Sequence, residues 1–172
     1  LCVQLRGCGR LKAQELAGCL YSLRYKNSVS HVRDLLVELK IKVDTCEEVF
    51  GSQEVGSSLY GLCSLDPSHQ EVRNLITALT RQVELCNEPL TSQAVGNSLY
   101  ALRNMSGDYR EVKDLFVALS RQFKKNKEQL EVASVGYPEG NLYDTLKKIS
   151  MDCSEVRDLL LFLSNERLEE NV

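Results

Sequence analysis

The chain has 172 residues, enough for one domain with a substantial core, and its 43% hydrophobic and 26% charged content describes a globular chain. Lys and Arg total 21 against 24 Asp and Glu, a net charge of −3, which argues against a strongly basic nucleic-acid binder. No apolar run of about eighteen residues occurs, so no membrane insertion is expected.

The chain repeats itself. Residues 1–10 are expected to be the end of a preceding unit. After them, Gln14-Glu-Leu-Ala-Gly-Cys-Leu-Tyr-Ser-Leu23 returns as Gln53-Glu-Val-Gly-Ser-Ser-Leu-Tyr-Gly-Leu62 and as Gln93-Ala-Val-Gly-Asn-Ser-Leu-Tyr-Ala-Leu102, at shifts of 39 and 40 residues. Each block is followed by a second one, opening at Val32, Val72, Val112 and Val156, that reads Val-Arg/Lys-Asp/Asn-Leu and ends on Leu. A period of this length marks a stacked repeat array.

Both blocks carry helical spacing. Val55, Leu59 and Leu62 fall at i, i+4 and i+7, as do Val95, Leu99 and Leu102. In the second block Val72, Leu75, Ile76, Leu79 and Val83 form an apolar stripe. Leu11/Leu16, Phe50/Val55 and Leu90/Val95 have hydrophobic-staple spacing across a helix start. Ser68 with Glu71, Asp108 with Glu111 and Asp152 with Glu155 read as capping boxes before the second helix. Gly18, Gly56 and Gly96 share one place in the first helix. A glycine there costs about 1 kcal/mol against alanine, so close helix–helix packing is expected. The predicted fold is all-α: an α-solenoid of about four antiparallel two-helix repeats of 39–40 residues, at approximately 11–49, 50–89, 90–130 and 131–172. The fourth is degenerate, because Val135-Gly-Tyr-Pro-Glu-Gly140 interrupts its first helix.

Nothing in the sequence points to catalysis. The seven cysteines include no C-x-x-C pair, which fits neither a zinc site nor a disulfide framework. They read as free thiols in an intracellular reducing compartment, cytosol or organelle. His31 and His69 fall near helix starts, where surface or capping roles are expected. No catalytic residue, cofactor site or metal site is predicted, and no enzyme activity.

Leu59-Tyr-Gly-Leu-Cys-Ser-Leu-Asp-Pro-Ser-His-Gln-Glu-Val-Arg73 resembles the middle of a HEAT repeat, where a first helix runs into an Asp-Pro loop and the second opens with Val-Arg. The two-helix unit also resembles pentatricopeptide and octotricopeptide repeats, although the chain lacks Trp. The HEAT resemblance implies a scaffold for protein partners within a larger complex. The pentatricopeptide one implies organellar RNA binding, which is the alternative.

Candidate partner-binding residues emerge from the repeat. Tyr21, Tyr60, Tyr100 and Tyr143 share one position; packing between units is expected of them, and base stacking is the alternative. The residues before each Leu-Tyr pair vary: Gly18-Cys19, Ser57-Ser58, Asn97-Ser98 and Gly140-Asn141. Variation beside a fixed frame is where a repeat protein reads its ligand. Arg33, Arg73, Lys113 and Arg157 form a ladder expected to be neutralised by adjacent acids such as Asp34, Asp114 and Asp158. Arg121, Lys124, Lys125 and Lys127 form the densest basic cluster, a possible RNA contact.

Overall fold

The computed structural model describes residues 2–25, 32–103, 105–125, 146–148, 151, 154 and 156–161. All regular structure among them is helical. The elements are α1 (Cys2–Gly7), α2 (Ala13–Tyr21) with a 3₁₀ turn (Ser22–Tyr25), α3 (Arg33–Asp44), α4 (Ser52–Tyr60), α5 (Gln70–Leu85), α6 (Ser92–Leu102) and α7 (Arg110–Lys125). Residues 146–148 and 156–161 are also helical.

The helices form two rows. α2 packs on α4 and α4 on α6; α1 packs on α3, α3 on α5 and α5 on α7. The rows meet through α2–α3 and α4–α5, and one contiguous apolar core lies between them. Every residue of the predicted stripes is buried: Val55, Leu59, Leu62, Val95, Leu99 and Leu102 in the first row, and Val72, Leu75, Ile76, Leu79 and Val83 in the second. A short helix cannot hide such a stripe alone, and the neighbouring helix supplies the cover.

The starts of the first-row helices follow the sequence. Leu11, Phe50 and Leu90 stand just before the flanking residues Lys12, Gly51 and Thr91, and Leu16, Val55 and Val95 sit in the first helical turns. Thr91 accepts the Ala94 N–H at 3.2 Å, and Glu15 accepts the Lys12 N–H at 2.9 Å. The carboxylate of Glu48 reaches back to the Ala13 N–H at 2.8 Å, and that of Glu88 to the Ser52 N–H. These acids satisfy orphan donors at helix N-termini.

The second-row starts differ from the capping boxes expected. Asp66 accepts the Ser68 N–H at 2.8 Å, a local turn that delays α5 to Gln70. This places Glu71 at the second helical position, away from a reciprocal bond with Ser68. Glu71 instead pairs with Arg33 at 3.0 Å, and Glu111 with Arg73 at 3.7 Å. Asp108 engages Ser106 and Lys148. Asp152 and Glu155 lie outside the described residues.

The glycines also divide. A Cβ on Gly56 would stand 2.7 Å from the Ala94 Cα, so α4 and α6 touch there through backbone. A Cβ on Gly18 meets nothing within 4 Å, so the close approach expected at that position is absent. Gly61 is a contact point the repeat did not reveal: its Cβ would lie 2.6 Å from the Leu20 carbonyl carbon, pinning the end of α4 to α2.

Candidate partner-binding face

Each first-row helix carries the same three-residue stripe, at i, i+4 and i+7: Gln14, Gly18 and Tyr21 on α2; Gln53, Ser57 and Tyr60 on α4; Gln93, Asn97 and Tyr100 on α6. That spacing holds all three on one helix face. Packing α2, α4 and α6 side by side turns the stripes into three rows crossing the helices.

The glutamine and variable rows line a groove. A cavity of about 580 Å³ runs between α4 and α6, bordered by Ser52, Gln53, Ser57, Glu88, Gln93 and Asn97. A second, of about 340 Å³, adds Gln14, Gly18, Tyr21 and Glu54 and shares Gln53, Ser57, Gln93 and Asn97 with the first. The two form one trough across three helices. Its charged lining residues are Glu54 and Glu88; among the described residues no Lys or Arg borders it. The rest is amide, hydroxyl and small apolar surface.

The tyrosine row closes the trough along one side as a column. Tyr21 and Tyr60 have ring centroids 5.6 Å apart at 28°, and Tyr60 and Tyr100 5.4 Å apart at 17°. Arg24 lies 3.6 Å from the Tyr21 ring centroid and 4.3 Å from that of Tyr25; Arg103 lies 3.5 Å from that of Tyr100. The rings therefore engage one another and two guanidiniums, which matches the packing role expected of them and leaves the middle ring no open face for a base. Tyr143 and Asn141 lie outside the described residues.

Two of the candidate positions are placed elsewhere. Ser58 and Ser98 are fully buried and do not reach the trough. Each falls three residues after a core valine, Val55 or Val95, and so points into the apolar stripe. Ser98 settles its hydroxyl by donating to the Ala94 carbonyl at 2.7 Å.

The basic cluster belongs to the other row. Arg121 borders a separate groove between α5 and α7 that also holds Arg81, Glu84, Glu111 and Asp114. Lys124 pairs with Asp158 at 3.1 Å, and Lys125 is exposed at the end of α7. Lys127 is outside the described residues. Arg121, Lys124 and Lys125 thus do not converge with Ser57, Asn97, Tyr60 and Tyr100.

The Arg33 and Arg73 ladder is neutralised, but by the next helix pair: Arg33 by Glu71 and Arg73 by Glu111. Arg73 additionally donates to the carbonyls of Pro67 and Ser68, each at 2.7 Å, and to the Gln70 side chain at 2.6 Å.

A buried polar ladder joins the second row. Gln122 donates through Nε2 to the Val83 carbonyl at 2.7 Å and to that of Cys86 at 3.2 Å; Gln82, 40 residues earlier, reaches the Val43 carbonyl at 3.4 Å. Lys42 holds the equivalent place and donates to Cys8 and Gly9 carbonyls at 2.6 and 3.0 Å. Each side chain satisfies the carbonyls left open where the preceding second-row helix ends.

The thiols are quiet. Burial pushes Cys19, Cys63 and Cys86 up from the ordinary thiol range, against the pull of Arg103 and Arg24 at Cys63 and of a hydrogen bond at Cys86. Such thiols stay protonated and weakly nucleophilic at neutral pH. Among the described residues, no group of three His, Cys, Asp or Glu side chains is arranged to hold a metal ion. None of the described helices is long and apolar enough to cross a membrane. Comparison with protein-family models, with curated proteins and with solved structures found no match to this chain.

Proposed function

We propose that the chain is a non-enzymatic helical-repeat scaffold, an α-solenoid of about four antiparallel helix pairs at the 39–40-residue period, that binds a polypeptide partner as part of a larger complex. The partner lies in the trough across α2, α4 and α6. One observation carries this reading: the trough is lined by amides and hydroxyls, and its charged lining residues are both acidic. Gln14, Gln53 and Gln93 each offer a donor and an acceptor, the complement of a peptide backbone. A nucleic-acid backbone would meet Glu54 and Glu88 with no described cation along the track to release its counterions.

Organellar RNA binding is the rival reading, kept by the neutral variable row at Ser57 and Asn97, and it makes a different forecast. Random single-stranded RNA should bind no tighter than about 10⁻⁵ M at about 150 mM salt, by fluorescence anisotropy. Proteins co-purifying from native extract should survive RNase and disappear when Ser57→Arg and Asn97→Arg fill the trough. Sub-micromolar binding to one RNA sequence, with RNase-sensitive co-purification, would overturn the scaffold reading.

A further inference from the structure

We infer that Arg24, Cys63 and Arg103 form a notch beside the trough that takes one carboxylate side chain of the extended polypeptide seated there, an inference that rests on the reading above. The three residues each stand three positions after a column tyrosine, Tyr21, Tyr60 and Tyr100. The outer two are arginines and the middle one is a small, half-buried cysteine, which leaves room between two guanidiniums. Both arginines are close enough to Cys63 to act electrostatically on its thiol.

Among the described residues the two guanidiniums lack anionic partners. Arg6, Arg10, Arg33, Arg73 and Arg110 each pair with a carboxylate, whereas Arg24 and Arg103 make no such ion pair. Arg24 directs Nη2 to the Tyr25 hydroxyl, and its Nη1 is buried with no acceptor. Arg103 donates Nη1 to the Tyr100 carbonyl at 2.8 Å. Stacking on Tyr21 and Tyr100 fixes where both forks stand before any ligand arrives. A guanidinium withdrawn from water without a counter-charge is costly, and a carboxylate is the group whose geometry matches its fork.

A single carboxylate fits better than a run of phosphates. The cations number two and sit at the tyrosine edge, while Glu54 and Glu88 border the trough beside them. A polyanion crossing all three helices would gain the notch and meet repulsion along the rest of its path. A mostly neutral peptide with one Asp or Glu meets the amide row with its backbone and the notch with its side chain.

The test is a display selection of random dodecapeptides on the whole chain, run in parallel on the Arg24→Gln/Arg103→Gln variant. Enriched peptides should share an Asp or Glu at one position, and the variant should lose that preference. Replacing the shared acid by Asn or Gln in a fluorescent peptide should weaken binding to the unaltered chain by about tenfold or more. That comparison decides the matter even if the double variant fails to fold. Enriched peptides without an acidic position, or equal binding of acid and amide peptides, would overturn the notch and leave the trough reading standing. Failure to enrich any peptide would overturn both.

Discussion

The two rows of helices use their polar residues in opposite ways. In the second row, α3, α5 and α7 turn theirs on one another: Arg33 to Glu71, Arg73 to Glu111, Gln82 to Val43 and Gln122 to Val83. In the first row, α2, α4 and α6 are held by apolar stripes and by the close contact at Gly56, and their amide row at Gln14, Gln53 and Gln93 stays exposed. Repetition alone therefore does not identify a binding residue. A repeated charge in this chain is a joint, and a repeated amide is either a joint or an open surface depending on which row carries it.

The largest expected effect tests the shared basis of both rows, burial. Leu99→Ala should cost roughly 2–5 kcal/mol in chemical denaturation by leaving a cavity. Asn97→Ala, two positions away on the trough, should cost under about 0.5 kcal/mol. Equal losses would mean that the face assigned to the trough is part of the core.

Next comes a test within the first row. Gly56→Ala drives a methyl into the α6 backbone and should destabilise by about 1–3 kcal/mol. Gly18→Ala enters open space and should gain up to about 1 kcal/mol of helix propensity. Opposite signs at equivalent positions would confirm that the rows are packed unevenly along their length; matching signs would remove the close contact as its cause.

The amide rows can be set against each other directly. Gln122→Ala strips the Val83 and Cys86 carbonyls of a buried donor and should cost about 1–3 kcal/mol. Gln93→Ala, on the exposed row, should change stability by less than about 0.5 kcal/mol while weakening partner binding. A denaturation series on both variants checks this, and the comparison fails if Gln93 proves the more costly to lose.

The smallest effects concern the thiols. With folded-state values raised for Cys19, Cys63 and Cys86, the native chain holds these protons more tightly than the unfolded chain. Their contribution is fully present below the unfolded value near about 8.5 and is lost as pH rises through the folded values. The denaturant midpoint should therefore stay level from neutral pH up to that point and fall above it. Reductant should leave the melting temperature of fresh protein unchanged; a drop of several degrees would reveal a disulfide, whose loss typically costs about 2–5 kcal/mol.

Most of the helical framework was legible in the sequence because apolar spacing and period are properties of the chain itself. Val55, Leu59 and Leu62 announce their face without reference to any neighbour. The phase of the serines was equally present: Ser58 and Ser98 sit at i+3 from Val55 and Val95, within the buried stripe, yet their polarity suggests a surface. Gln82 and Gln122 were hidden for the converse reason. They interrupt an apolar stripe, and only the carbonyls of another helix explain why a buried amide is tolerated there. The trough depended on tertiary placement too. Gln14, Gln53 and Gln93 open each repeated block, but the frame of a repeat reads as packing until the helices are set side by side. The capping boxes failed because Asp66 creates a turn that moves the helix start, a competition between two local hydrogen bonds that spacing cannot rank.

The donors at Lys42, Gln82 and Gln122 all point the same way along the chain, each closing the helix end of the pair before it. A polypeptide leaves the ribosome in that same direction. Each newly emerged pair is therefore left with unsatisfied carbonyls until its successor arrives to complete it. The nascent protein consolidates one pair behind the point of synthesis, and a stop codon or a cut within the array uncaps the last intact pair in addition to removing its successors.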